Sequence, residues 1–211
     1  GFIINRYCAS GLESIGLAVA KIRSGMAHVV VAGGTESMSM IPMTGYKLAP
    51  SYQTATNTPD YLVGMGLTAE AVAKKYNITR QAQDEFSFQS HQKAAAAIAG
   101  GRFKKGILPI SVEEVFVENN KRQTRNWVVS EDEGVRLDTT VEGLLKLKPA
   151  FAVGGSITAG NSSQTSDGAA FVLVVSEEIV KKYNLQPIAR LASVAVGGVE
   201  PILMGMGPCV A

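Results

Sequence analysis

Ile4-Asn5-Arg6-Tyr7-Cys8-Ala9-Ser10-Gly11-Leu12 is the stretch on which the reading of this sequence turns. Upstream of it, Phe2-Ile3-Ile4 is a short apolar run of strand character. Downstream, Leu12, Ile15, Val19 and Ile22 recur at helical spacing as far as Arg23, and Gly25 follows as a stop. Gly16, Leu17, Ala18 and Ala20 leave that helix little polar surface, the pattern of a helix packed on several sides. Cys8 therefore stands where an apolar strand turns into a helix, with its sulfur near the positive end of the helix dipole. Such a position favours thiolate, the nucleophilic form of the side chain. The small residues Ala9, Ser10 and Gly11 let a carbonyl group approach the backbone amides. A buried structural cysteine fits the same local context equally well.

Working outward, His28–Ala32 is a β-branched run closed by Gly33-Gly34 and suits a buried strand. Strand, helix and strand in such short order form a βαβ unit, for which parallel pairing is expected. The composition shifts near residue 40: residues 40–150 hold 14 of the 20 Lys and Arg and 12 of the 18 Asp and Glu residues. Residues 41–60, rich in Pro, Thr, Tyr and Asn, read as irregular. Thr68 is placed to cap a helix over 69–76, and Thr79 a longer one reaching Gly100-Gly101. Val112–Val117 and Trp127–Ser130 suggest a small hairpin around Glu118–Arg125. The core pattern resumes near Gly154, with strands expected at Ala169–Val175 and Ile188–Val196 and a short helix at Ser176–Tyr183.

The chain has 211 residues, of which 46% are hydrophobic and 18% charged, a globular balance that excludes intrinsic disorder. A formal net charge of +2 is too small for a dedicated nucleic-acid binder. Cys8 and Cys209 cannot build a disulfide framework, which favours a reducing compartment. No apolar stretch approaches the length of a membrane span, and no metal-ligand spacing occurs. The sequence opens and closes in mid-pattern, and an internal fragment of a longer protein is expected. A solvated helix face is expected for His91 and a strand-edge position for His28.

Four motifs in order resemble the thiolase family. Ile4–Leu12 is similar to its acyl-enzyme cysteine motif, and Gly33-Gly34-Thr35-Glu36-Ser37-Met38-Ser39 to a following strand end. Met65-Gly66-Leu67-Thr68-Ala69-Glu70 and Ser90-His91-Gln92-Lys93-Ala94 resemble its loop-domain helices. Lys148-Pro149-Ala150-Phe151, followed by Thr158–Ala170, resembles its coenzyme-A-binding loop. The resemblance implies an α/β fold of layered α/β/α/β/α type with an inserted α-rich loop domain, here incomplete. Residues 1–39 would belong to the N-terminal core domain, 40–150 to the loop domain, 151–186 to the core again, and 187–211 to the start of a C-terminal core domain. Such a part is expected to be poorly soluble alone and inactive without the remainder.

The implied chemistry is thiolysis of a 3-ketoacyl-CoA to acetyl-CoA and a shortened acyl-CoA, or the reverse Claisen condensation. Cys8 would be the catalytic nucleophile, its backbone N–H contributing to an oxyanion hole. Met65, Arg136, Phe151, Ala159 and Ser163 would contact substrate and coenzyme A. A guanidinium such as that of Arg136 suits phosphate or adenine, while a salt bridge to Glu131, Asp132 or Glu133 accounts for it equally well. Coenzyme A enters as co-substrate, with no covalently bound cofactor; the implied assembly is a homodimer or homotetramer. A bacterial cytoplasmic location is expected, with peroxisomal or mitochondrial ones as alternatives. The family's Gly-His-Pro, Asn-Glu-Ala-Phe and Cys-x-Gly motifs do not occur here, and Cys209, between Pro208 and Val210, is read as structural.

Other readings are a biosynthetic acetoacetyl-CoA thiolase, a carrier-protein-dependent condensing enzyme, and a non-catalytic acyl-CoA-binding relative. Biosynthetic thiolases carry a histidine before the loop-domain Met-Gly, where this chain has Gly64. Asp132-Glu133-Gly134-Val135-Arg136 and Glu142-Gly143-Leu144 resemble the degradative branch. The smaller residue leaves room for longer acyl chains. Thiolysis of medium-chain 3-ketoacyl-CoAs by the parent protein is thus expected, and activity confined to acetoacetyl-CoA would contradict it.

Overall fold

A computed structural model describes residues 1–211. Its elements in chain order are α1 (Ser10–Arg23), β1 (Val29–Ser37), α2 (Tyr52–Asn57), α3 (Met65–Lys75), α4 (Arg80–Ala99), β2 (Ile110–Glu118), β3 (Lys121–Val129), α5 (Val141–Leu145), β4 (Asp167–Val175) and α6 (Glu177–Lys182). Short 3₁₀ segments cover Tyr7–Ala9, Pro59–Leu62 and Pro201–Cys209. The chain divides into two compact units, one of residues 1–62 and 165–211 and the other of residues 63–164.

In the first unit β1 and β4 form a two-stranded antiparallel sheet, with Val31 opposite Leu173 and Ala32 opposite Val172. The expected parallel βαβ pairing is thus corrected. Phe2–Ile4 is extended but unpaired, and β1 takes its partner from far along the chain. The fully buried strands also need correction, because only one sheet face is covered. Strand alternation turns Ala32 toward α1, where Ala32 and Ala18 are buried, and leaves Val31, Phe171 and Leu173 exposed. Ile188–Val196 passes Val194 beside Gly16 of α1 but joins no strand. β1 runs on through Gly33 and Gly34 to Ser37.

In the second unit Thr79 caps α4 as expected, its Oγ1 accepting the Ala82 N–H at 3.2 Å. Thr68 is not a cap. α3 begins three residues earlier at Met65, and Thr68 lies buried in its first turn, donating to the Met65 carbonyl. The hairpin β2–β3 forms, but the connection expected over Glu118–Arg125 is corrected: β3 already begins at Lys121, and the turn is Asn119-Asn120, both left-handed, the geometry a two-residue turn demands. In the first unit, the stretch read as irregular holds α2, capped by Ser51.

The glycine at 33 is dictated by strand approach: a Cβ there would lie 2.2 Å from the Ala170 carbonyl oxygen. Gly34 has open space, with nothing within 4 Å of its Cβ position. Gly33→Val is expected to cost about 2 kcal/mol or more in urea denaturation by forcing β1 from β4. Gly34→Ala, the matched control, should stay within about 0.5 kcal/mol of the parent or gain slightly.

Candidate functional site

Cys8 lies in the first unit, exposed and unpaired with any other cysteine, within the 3₁₀ turn Tyr7–Ala9 that leads into α1. The turn is built by its neighbours. Tyr7 has φ 47°, a left-handed conformation that costs a non-glycine residue about 1–2 kcal/mol. Hydrogen bonds on both sides hold it there. Tyr7 N–H donates to Asn5 Oδ1 at 2.8 Å, and Ser10 Oγ accepts the Arg6 N–H while donating to the Tyr7 carbonyl, each at 2.7 Å. Arg6 also pairs with Glu13 at 2.8 Å, tying the approach segment to the first turn of α1. The chain thereby reverses direction sharply at Tyr7 and presents the next side chain, Cys8, to solvent. The second cysteine, Cys209, is also free and exposed, at the end of the last 3₁₀ segment.

The five candidate coenzyme contacts all lie in the second unit. Met65 opens α3 and is 44% exposed, and Phe151 is 48% exposed. The Phe151 ring packs on Gly66, the residue after Met65, whose Cβ position would fall 2.1 Å from it. Ala159 and Ser163 are exposed on the loop that follows. Arg136 is exposed and pairs with none of Glu131, Asp132 and Glu133. Its backbone N–H donates to His91 Nδ1 at 3.2 Å. His91 is half-buried, so the expected solvated face is corrected: it lies against the 131–139 segment as an acceptor.

The loop is held by polar groups. Pro149 bridges Thr158, and Gly154, at φ 69°, makes the turn between them. The Glu70 carboxylate of α3 accepts the Ser156 and Ile157 N–H groups, at 2.9 Å each, and the Ser156 hydroxyl at 3.1 Å. Gly155 makes room for it, since a Cβ there would meet Glu70 Oε1 at 2.2 Å. Thr158, fully buried, donates its N–H to Asn161 Oδ1 and accepts the Gly160 and Asn161 N–H groups at its Oγ1. Asn161 Nδ2 donates to the Ser156 carbonyl and to Asp84 Oδ1, at 3.0 Å each. Asp84 of α4 is 0% exposed and accepts Arg80 Nε at 2.7 Å. Arg80 reaches on to the Leu144 and Leu147 carbonyls at 2.7 and 3.0 Å.

Glu70 and Asn161 fall inside the motifs quoted above without a role of their own there, and Arg80 and Asp84 fall outside them. Their only local signal is an oppositely charged pair four apart on a helix, which on most helices is a surface feature. In the first unit, the Asp167 carboxylate binds both the hydroxyl and the N–H of Ser39. No group of three or more His, Cys, Asp or Glu residues is arranged to hold a metal ion, and no helix is long and apolar enough to cross a membrane.

Burial tends to raise the Glu70 pKa, but the Ile157 N–H, the Ser156 N–H and the Ser156 hydroxyl outweigh it and hold the group below its ordinary value of 4.5. A carboxylate with a depressed folded-state pKa stabilises fully above its unfolded value and loses that contribution as pH falls through the folded one. The 63–164 unit should therefore weaken as pH drops below about 4.5. Glu70→Gln should be less stable near neutrality, by about 1–3 kcal/mol, and should lose part of the acid dependence in pH-resolved thermal melts. An unaltered acid limb in Glu70→Gln would contradict this.

Comparison with known proteins bears on both units. Residues 2–178 match the family model for the thiolase N-terminal domain. A 3-ketoacyl-CoA thiolase of Bacillus subtilis is 48% identical over 206 residues, 97% of this chain and 53% of that protein. An acetyl-CoA acetyltransferase of Escherichia coli is 41% identical over 221 residues, 99% of this chain and 54% of that protein. The crystal structure of the dimeric peroxisomal thiolase of Saccharomyces cerevisiae superposes with a TM-score of 0.84 at 35% identity, over 97% of this chain and 51% of that one. The chain spans about half the length of the relatives it matches.

Proposed function

The chain belongs to the thiolase family, and on that premise we propose that it is the nucleophile-bearing and coenzyme-binding part of an acetyl-CoA C-acyltransferase acting on 3-ketoacyl-CoA. The observation that carries this reading is the turn around Cys8. A solvent-accessible thiol follows a left-handed Tyr7 that Asn5 and Ser10 clamp by hydrogen bonds. A strained backbone held in place by its neighbours is characteristic of positions where a reacting group must be aimed. The fold class agrees: an α/β chain of the thiolase type.

In the proposed reaction Cys8 sulfur attacks the 3-keto carbon of the substrate, and the bond between the second and third carbons breaks. The two-carbon piece leaves as acetyl-CoA after taking a proton, and the remaining acyl group stays on sulfur. The thiol of free coenzyme A then takes that acyl group, giving the shortened acyl-CoA and returning Cys8. The family residues that move protons in these steps have no counterpart motif in this chain, so turnover is assigned to the parent protein. Loop residues Ala159 and Ser163, with Met65 and Phe151 beside Gly66, are proposed to receive the pantetheine and acyl portions. Arg136, with its guanidinium unpaired, is proposed for the phosphate end. Coenzyme A is the co-substrate.

We assign the chain to the degradative branch because Gly64 stands where a biosynthetic enzyme has histidine. The division into core (1–39 and 151–186), loop (40–150) and C-terminal core (187–211) domains is proposed on the same family resemblance. A homodimeric or homotetrameric parent and a bacterial cytoplasmic location belong to this proposal too.

Incubation of the chain with acetyl-CoA, followed by intact mass measurement and peptide mapping, tests the reading. One acetyl group is expected on Cys8, none on Cys209, and none after Cys8→Ser. Acetylation at Cys209, or an adduct that survives Cys8→Ser, would remove Cys8 from its assigned role.

A further inference from the structure

The deepest polar cluster in the 63–164 unit lies one step behind the residues assigned to coenzyme A. Asp84 is 0% exposed, and both of its oxygens are occupied: Oδ2 by Arg80 Nε at 2.7 Å and Oδ1 by Asn161 Nδ2 at 3.0 Å. Burying a carboxylate costs far more than an exposed ion pair returns, so a fully buried one persists only where its partners are fixed. Each partner fixes something else. Arg80 binds the carbonyls of Leu144 and Leu147, the end of α5. Asn161 has its carbonyl oxygen on the Thr158 N–H and its amide on the Ser156 carbonyl, closing the loop from both sides. Ala159 lies inside that closed turn and Ser163 just beyond it, and neither is hydrogen-bonded to Asp84.

We propose that Asp84, anchored by Arg80, is a positioning residue for the coenzyme-contacting loop 156–163 and acts through Asn161. The inference rests on the reading that this loop contacts coenzyme A. The geometry of the Asn161 amide supports it: one NH₂ group serves Asp84 Oδ1 and the Ser156 carbonyl together. Displacing Asp84 therefore removes one of the acceptors that hold the Asn161 amide, the others being the Ser156 carbonyl and Gln83 Oε1 at 3.4 Å. A scaffold role alone would lower stability and leave affinity for coenzyme A where it was.

The test is calorimetric titration of coenzyme A into the 211-residue chain and into Asn161→Ala, Asp84→Asn and Phe151→Ala. Hydrogen exchange of the 156–163 amides and the rate of Cys8 alkylation by iodoacetamide are measured beside it. Asn161→Ala and Asp84→Asn are each expected to weaken coenzyme A binding about tenfold and to speed exchange in the loop. Cys8 alkylation should be unchanged in both. Asn161→Ala leaves the Arg80–Asp84 pair intact and carries the test if Asp84→Asn does not fold. Unchanged affinity in a folded Asn161→Ala, with Phe151→Ala weakened, overturns the positioning role alone. No binding by the parent chain, or binding indifferent to Phe151→Ala, overturns the coenzyme reading and this inference with it.

Discussion

The buried carboxylate of Asp84 is the constraint on which the second unit depends. A charged group at 0% exposure must have both oxygens satisfied, because hydrogen bonding and pairing are all that offset its desolvation. Here the partners come from two places in the chain. Arg80 is one turn away on α4, and Asn161 lies 77 residues further on. Local helix geometry supplies the first partner and tertiary structure the second. The pair therefore acts as a joint between a helix and a loop rather than as a helix-surface salt bridge, whose contribution would be at most about 1 kcal/mol.

Glu70 makes a second joint of the same kind with a different logic. Its carboxylate sits where the loop backbone turns its N–H groups inward, and three donors from Ser156 and Ile157 converge on it. Backbone donors satisfied this way do not need a strand or helix partner. That is how the 149–158 segment can be ordered while forming only a single bridge, Pro149 to Thr158. Gly155 belongs to this arrangement, since any side chain there would occupy the carboxylate's place. The loop is thus pinned by one acid from α3 and, through Asn161, another from α4.

Much of this architecture was legible in the sequence, and the division between legible and hidden follows the range of the interactions. The Thr79 cap, the β2–β3 hairpin and α6 behind Ser176 all come from contacts a few residues long. So does the turn around Cys8, made of Asn5, Tyr7 and Ser10. What sequence patterns misjudged was pairing. A β-branched run reads the same in a parallel as in an antiparallel pair, and the partner of β1 is β4, which begins 130 residues after β1 ends. His91 was misjudged for the same reason, because polar neighbours in sequence do not reveal a backbone N–H arriving from residue 136.

These two ranges of interaction separate the Cys8 turn from the 156–163 loop in a way that matters for how each tolerates change. The Cys8 turn has its left-handed residue at Tyr7 and is held by bonds among residues 5–10 and by the Arg6–Glu13 pair, all within one short stretch of chain. The loop has no such independence. Its shape is a property of α3, α4 and α5 together, transmitted through Glu70, Asp84 and Arg80. A change in the packing of any of those helices displaces the acceptors on which the loop amides and Asn161 rest, and hydrogen bonds weaken steeply with distance and angle. Variation in the 63–164 unit should accordingly register in the geometry of the 156–163 loop before it registers at the Cys8 turn. The Cys8 turn is specified locally and the 156–163 loop globally, which is why the first could be read from nine consecutive residues while the contacts that shape the second emerge only in the folded chain.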